Sequence, residues 1–223
     1  MIVTIHQPEH MPWAGFFHKM AMADLYVLLD HVQYRKGYFQ NRNRLVDSKG
    51  EVFWCTVPLK AGSHGERICE KKVGDGNWEK KYLNKITESY RKCAYFDRYF
   101  DDFAAILNKN HHKLSDLNFD LICWFRTQLD INVEMILSSS LVTHEAKSDL
   151  NLDICSQLNA SAYIAGPSGK DYLDLSTFKK RGIEVHFHQF SPPTYNAKHF
   201  IPGLSTLDLL MNHGPLSREI IGL

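Results

Sequence analysis

Residues 2–33 read IVTIHQPEHMPWAGFFHKMAMADLYVLLDHVQ, and this stretch decides the fold. Residues 2–5 are apolar and rich in β-branched side chains, which is typical of a buried strand, and the polar His-Gln-Pro that follows ends it. Residues 13–22 place large apolar side chains at helical spacing, and residues 25–29 form a second apolar run. The order strand, helix, strand predicts a βαβ unit.

Polar side chains follow both predicted strands. His6 and Gln7 come after the first strand, and Asp30 comes after the second. His18 and Lys19 lie on the helix between them. Because ligands of parallel sheets bind at the carboxyl ends of the strands, we expect these five groups to converge on one crevice. A histidine suits acid–base chemistry near neutral pH, and the alternative for His6 is a structural ring bonded to a turn carbonyl.

Composition narrows the class of protein. The chain has 223 residues, 44% of them hydrophobic, which suffices for one sizeable core. A formal net charge of +1 disfavours a duplex nucleic-acid binder. No apolar run approaches the length of a membrane span, and the first residues form a strand rather than a charged leader. We therefore expect a cytoplasmic protein with no membrane insertion, whose five widely spaced cysteines are reduced.

Helical and strand patterns alternate along the rest of the chain. We predict a single α/β domain over residues 1–223, with a mainly parallel sheet flanked by helices and a helical insertion or subdomain at 78–130. Asn77, Ser115 and Ser205 are expected to cap helices. Further strands are predicted at 52–57, 67–73, 132–137, 162–165 and 182–187, and further helices at 149–158, 175–180 and 204–212.

Residues 33–45 are too polar for a core element but contain four cations, Arg35, Lys36, Arg42 and Arg44. One interpretation is a solvated loop. The other is a loop that wraps an anionic ligand, because the planar guanidinium fits phosphate with two hydrogen bonds.

Several familiar motifs are absent. Residues 166–170, GPSGK, lack the spacing of a phosphate-binding P-loop, so they are either a turn or a ligand loop. No Gly-x-Ser-x-Gly elbow is present, which disfavours a serine nucleophile. The histidine spacing matches no known zinc cage, and we predict neither a metal nor a tightly bound cofactor. The histidines in question are His6, His10, His18 and His31.

The chain resembles the WbqC-like family of bacterial surface-polysaccharide gene clusters over most of its length. The matching residues form short motifs spread from the first strand to the last helix. They include Ile5-His6-Gln7-Pro8, Pro12-Trp13, Gly15-Phe16-Phe17-His18-Lys19, Leu29-Asp30, Gln33, Asn41-Arg42, Thr56-Val57-Pro58, Ser139-Ser140, Tyr172-Leu173-Asp174 and Leu207-Asp208-Leu209-Leu210. The first βαβ unit is also distantly similar to nucleotidylyltransferases, although its His and Gly residues are spaced differently.

The resemblance implies a role in O-antigen or related glycan biosynthesis. The implied activity is transfer of an acyl group, such as glycyl, to the amino group of a nucleotide-linked deoxy-amino sugar. The implied donor is a thioester on coenzyme A or on an acyl carrier protein, which would then be a partner. No nucleic-acid partner is expected.

Within this N-acyltransferase hypothesis, His6 is the general base, Asp30 orients it or holds the amine, and His18 completes the catalytic set. Gln7, Asn41 or backbone N–H groups would stabilise the oxyanion. The full set of predicted substrate-binding residues is Gln7, Trp13, Lys19, Gln33, Arg35, Asn41, Arg42, Ser139, Ser168, Tyr172, Asp174 and Tyr195. Two alternatives stay open at this point: a nucleotidylyltransferase-like or ATP-dependent enzyme, and a non-catalytic binding protein of the same pathway.

Overall fold

The computed structural model describes residues 1–143 and 147–223. The strands are β1 (Ile2–His6), β2 (Leu25–Leu28), β3 (Arg42–Val46), β4 (Val52–Thr56), β5 (Glu134–Leu137), β6 (Ala162–Ala165) and β7 (Glu184–Phe187). The helices are α1 (Ala14–Ala21), α2 (Trp78–Tyr90), α3 (Phe96–Leu107), α4 (Leu114–Gln128), α5 (Lys147–Gln157), α6 (Leu175–Lys180), α7 (Thr206–His213) and α8 (Ser217–Ile221).

Five strands form one sheet in the order β5-β2-β1-β6-β7, and all its pairings are parallel. This confirms the predicted α/β fold. The chain extends the sheet from β1 through β2 to β5 on one side, and then returns to add β6 and β7 on the other side. The strand order therefore reverses between β1 and β6, and a ligand crevice is expected outside the carboxyl ends of these two strands.

Alternate side chains of the central strands enter two separate cores. On one face, Val3 and Val27 pack in a cluster with residues of α5 and α6. On the other face, Tyr26 packs with Phe17 of α1 and with residues of α2, α3, α4 and α7. The same alternation directs His6 towards α1, where its ring lies edge-on to Phe16 at 5.1 Å between centroids.

The helices α2, α3 and α4 correspond to the helical insertion predicted at 78–130. They share one hydrophobic core with α1 and β2. Their status as a separate subdomain stays a prediction. None of the helices in the described ranges is long and apolar enough to cross a membrane.

The strands β3 and β4 form an antiparallel hairpin around the turn predicted at residues 47–50. The second half of the predicted polar loop is therefore wrong, because residues 42–46 are a strand. Leu45 is fully buried, and the buried Asn43 donates hydrogen bonds from its amide to the carbonyls of His10 and Met11. A polar side chain is thus accommodated inside, which hydrophobic patterning does not reveal.

Three local predictions also need correction. Residues 67–73 are not a strand but contain a 3₁₀ turn at Ile68–Glu70, since the Glu70 carboxylate accepts the Arg67 backbone N–H at 2.9 Å. Ser115 lies inside the first turn of α4, whose cap position is Lys113. Asn77 occupies the cap position of α2 without a side-chain bond, whereas Ser205 caps α7 as predicted.

Candidate functional site

His6 ends β1, next to the point where the strand order reverses between β1 and β6. Its Nδ1 lies 3.0 Å from the Gln7 carbonyl oxygen. Because a carbonyl oxygen only accepts, Nδ1 carries the hydrogen and the lone pair of the neutral ring is on Nε2. Burial of the ring and the neighbouring Lys19 lower the pKa of His6 to about 3, so the ring is neutral at physiological pH. The side chain keeps 30% of its surface exposed, which leaves it within reach of a ligand.

Glu9 is the acid of this site, and the sequence analysis missed it. Its Oε1 lies 3.9 Å from His6 Nε2, and 15% of its side chain is exposed. Burial raises the pKa of the Glu9 carboxyl to about 7, while the charge on Lys19 opposes that rise. A carboxyl with this pKa can both give and take a proton at neutral pH.

Lys19 points from α1 to the sheet and is only 2% exposed. Its Nζ donates to the Ile5 carbonyl oxygen at 3.0 Å. Burial lowers the pKa of Lys19 to about 7, and the Glu9 charge opposes that shift. Glu9 and Lys19 therefore titrate in the same pH range as a coupled pair. Lys19 is therefore held against the sheet, and its predicted role in substrate binding stays a prediction.

Two buried oxygens at this pair, Glu9 Oε2 and the Tyr26 hydroxyl, have no hydrogen-bond partner among the described residues. They are close enough for the Glu9 charge to raise the pKa of Tyr26 further above its already elevated value. Unpaired buried polar atoms are uncommon in folded proteins, and they often mark a place that a water molecule or a ligand group occupies. The Tyr26 hydroxyl therefore adds a further buried polar group to the cluster of His6, Glu9 and Lys19.

The loop that follows β1 contains a strained backbone conformation at Met11. Met11 has a φ of 44°, in the left-handed region that residues other than glycine rarely adopt. The Asn43 amide holds the Met11 carbonyl at 2.8 Å. His10 is fully buried between Asn118, at 3.1 Å from its Nδ1, and the Tyr82 hydroxyl, at 2.6 Å from its Nε2. Strained backbone held by surrounding contacts is common at functional sites.

His18 is brought to the same region, but through a second histidine. Its Nδ1 lies 2.9 Å from Nε2 of His188, which follows β7. The Phe190 ring is tilted by 41° to that of His18, at 4.8 Å between centroids, and is nearly parallel to that of His188, at 6.1 Å. His188 is 6% exposed, and its pKa is lowered to about 4 by burial, by His18 and by Lys19. His188 was missed because nothing in the sequence relates residue 188 to the first helix.

Trp13 covers the start of α1 from the same side. Its ring lies edge-on to Phe190 at 5.5 Å between centroids. A Cβ atom on Gly15 would lie 2.4 Å from the Trp13 ring and 2.9 Å from Phe190. Glycine at this position therefore lets the two rings close over the helix.

Asp30 lies elsewhere at the same edge of the sheet. One carboxylate oxygen accepts bonds from the Ser138 hydroxyl at 3.0 Å and the Ser139 N–H at 2.8 Å, and the other accepts from the Ser139 hydroxyl at 2.7 Å. Asp30 is 1% exposed, and among the described residues no bond joins it to His6. The structure therefore brings His6 near Lys19 and the His18 pair, but it does not bring Asp30 to them. Asp30 and Ser139 hold the end of β2 to the end of β5.

The predicted amide ligands separate into one at the site and one in the core. The Gln7 side-chain oxygen accepts from the Gln40 amide at 2.7 Å, which fixes the orientation of Gln7 beside His6. Asn41 is buried, with its oxygen bonded to the Tyr34 hydroxyl at 2.9 Å and its nitrogen to the Val57 carbonyl at 2.8 Å. Asn41 therefore has a structural role, which is a correction to its predicted role in oxyanion binding.

The other predicted ligand residues are distributed around the fold. Asp174 caps α6 by accepting the Ser176 N–H, and the Tyr195 hydroxyl donates to Asp208 at 2.6 Å. Ser168 and Tyr172 are exposed beyond the end of β6. Gln33 and Arg35 are exposed on the segment after β2, and Arg42 lies on β3.

The histidines do not form a metal cage. In the described part of the chain, no group of three or more His, Cys, Asp or Glu side chains is arranged to hold a metal ion. His6, His18 and His188 are neighbours, but His6 bonds the Gln7 carbonyl, and His18 and His188 bond each other.

Comparison with known proteins identifies the family. The chain is 30% identical over 217 residues to the uncharacterized protein Rv1507c of Mycobacterium tuberculosis (strain ATCC 25618 / H37Rv), covering 95% of this chain and 94% of that protein. No solved structure matches the chain significantly. Residues 7–220 match the WbqC-like protein family, and the chain belongs to this family.

Proposed function

We propose that the protein is an N-acyltransferase that acylates the amino group of a nucleotide-linked deoxy-amino sugar. This proposal is supported by a pair of acceptor atoms, His6 Nε2 and Glu9 Oε1, which lie 3.9 Å apart on partly exposed side chains at the carboxyl end of β1. A nitrogen placed about 2.8 Å from both atoms subtends an angle of about 90° between them, which suits two N–H groups of one ammonium.

Acyl transfer to an amine requires a group that removes protons from nitrogen at neutral pH. Glu9 fits this requirement better than His6, because its pKa is about 7 whereas the pKa of His6 is about 3. In this mechanism His6 orients the amine through Nε2, and Glu9 accepts the proton. The sequence analysis predicted His6 as the general base, and this proposal assigns that role to Glu9 with His6 orienting the amine.

In the proposed reaction, each proton that the substrate ammonium loses has an acceptor. The deprotonated amine attacks the carbonyl carbon of a thioester, a C–N bond forms, and the C–S bond breaks. Of the two protons that the ammonium loses, one passes to the leaving thiolate and the other leaves through Glu9 to solvent. The side-chain N–H groups of Gln7, held by Gln40, are the proposed donors to the oxyanion.

The test is an assay of the purified protein with nucleotide-linked amino sugars and acyl or glycyl thioesters, with products followed by mass. Glu9→Gln and His6→Gln should each lower kcat/KM by about 10² or more. Glu51→Gln and His64→Gln remove the same groups from exposed positions and should leave kcat/KM unchanged. Thermal melting of each variant separates loss of activity from loss of fold.

Two results would contradict the proposal. The first is a complete lack of acylation across donors together with no binding of the sugar nucleotide. The second is Mg²⁺-dependent turnover of ATP or CTP by the same protein, which would favour the nucleotidylyltransferase alternative. Survival of function in cells carrying His6→Ala would favour a binding protein instead.

A further inference from the structure

Three large aromatic side chains stand exposed near the site. Tyr38, Phe39 and Trp54 keep 55%, 39% and 45% of their surface exposed. Phe39 and Trp54 are neighbours, with ring centroids 5.9 Å apart. Exposed large aromatic groups in one patch are unusual on a protein surface and commonly mark a binding surface.

Cations accompany these rings. The Arg42 guanidinium lies 4.2 Å from the Trp54 ring centroid, and the Arg35 guanidinium lies 5.6 Å from that of Tyr38. Arg42 also donates to the Gly37 carbonyl, while its Nε is buried and has no hydrogen-bond partner within residues 1–143 and 147–223. Residues 31–46 contain no Asp or Glu, so no acidic side chain of this segment neutralises the cations. We call Arg35, Tyr38, Phe39, Arg42 and Trp54 the hairpin platform.

Backbone and side-chain bonds connect the hairpin platform to the catalytic loop. The His10 N–H donates to the Phe39 carbonyl at 2.8 Å. Gln40, the next residue, bonds Gln7 at 2.7 Å. Gln40, which follows Phe39 of the platform, therefore contacts the loop that follows His6 and contains Glu9.

We infer that the hairpin platform binds a nucleoside diphosphate, with the aromatic base against the exposed rings and the diphosphate near the arginines. Bases stack on exposed aromatic rings, and arginine forks pair with phosphate oxygens. This inference rests on the proposed function, since it assigns the nucleotide part of the proposed substrate to a surface beside the amine site. The patch lacks the long amphipathic helix typical of proteins that lie on membranes.

Binding is measured by calorimetry with UDP, uridine and inorganic pyrophosphate as probes. We expect wild-type protein to bind UDP more tightly than either fragment. Trp54→Ala should weaken UDP binding about fivefold or more, Trp54→Phe should restore most of it, and Arg35→Gln should weaken pyrophosphate as well. Leu216→Ala, at another exposed apolar position, is the control and should have no effect.

Equal affinity of wild type and Trp54→Ala for UDP would overturn the inference. So would Trp54-dependent sedimentation with anionic phosphatidylserine vesicles in the absence of UDP binding, which would make the patch a membrane contact. The proposed function fails separately: UDP binding through Trp54 without any acyl transfer contradicts the enzyme but not the platform. Acyl transfer that Trp54→Ala leaves unchanged, without UDP binding, contradicts only the platform.

Discussion

Lys19 is an ionisable side chain in a position that hydrocarbon would otherwise fill. The sequence places it correctly on α1 next to His18, since helical spacing is visible in residues 13–22. Its direction could not be predicted, because both faces of a short helix between two buried strands contain apolar residues. Glu9 was overlooked for a related reason: one acid in an irregular loop has no periodicity, and only the folded loop sets it against His6 and Lys19.

Replacing Lys19 with Met should change how stability depends on pH. The pKa of Lys19 is about 7 in the folded protein and 10.5 ordinarily, so the unfolded chain binds more protons between these values. Wild-type stability therefore gains a contribution that rises with pH from 7 to 10.5. The free energy of unfolding of Lys19→Met should therefore fall by about 1–2 kcal/mol relative to wild type between pH 7.5 and 9, as measured by urea unfolding.

The exposed Lys92→Met serves as the comparison, because its ammonium is hydrated in both states. The opposite result is that the free energies of unfolding of Lys19→Met and wild type differ by the same amount at every pH in this range. That result would show that Lys19 keeps its charge in the folded protein.

Among the elements, those with a strong local pattern were predicted best. The β1–α1–β2 unit, β6, α6 and the Ser205 cap follow directly from runs of apolar residues and capping chemistry. The strand β3 was missed because its polar residues are buried by bonds to a distant loop. Asp174 was predicted to bind substrate, whereas its side chain accepts the Ser176 N–H at 2.9 Å at the start of α6.

Replacing Asp174 distinguishes its role as the cap of α6 from the predicted role in substrate binding. Asp174→Ala should lower the free energy of unfolding by about 1 kcal/mol, which is typical for loss of an N-cap, and leave KM unchanged. The neighbouring exposed Asp171→Ala should change neither quantity. An increase in KM with unaltered stability would instead support the substrate-binding role.

At the scale of the whole molecule, the mainly parallel sheet could be predicted. Which side chains meet at the carboxyl ends of its strands could not. The sequence correctly relates His6 to the carboxyl end of β1 and Asp30 to the end of β2. It cannot show that Asp30 bonds Ser139, 109 residues later, while His188 reaches the neighbourhood of His6. Such partners depend on strand order, which local patterns do not encode.

Asp30 should therefore matter for stability more than for turnover. Asp30→Ala leaves three donors from Ser138 and Ser139 without their acceptor, and we expect a loss of about 2–4 kcal/mol in urea unfolding. Asp102→Ala, at an exposed position of α3, is the control and should change the free energy of unfolding by less than about 0.5 kcal/mol. If Asp30→Ala kept its stability but lost acyl transfer, the catalytic role first predicted for Asp30 would be correct.

The central place of β1 also bears on how the chain matures during translation. β1 is made before the other strands of its sheet, and its partner β6 is made about 160 residues later. Until then the nascent chain exposes one edge of a strongly apolar strand, and such edges pair readily with other chains. We expect chaperones that bind nascent chains to protect this strand until β6 is made, and overexpression faster than they can act should yield aggregated protein.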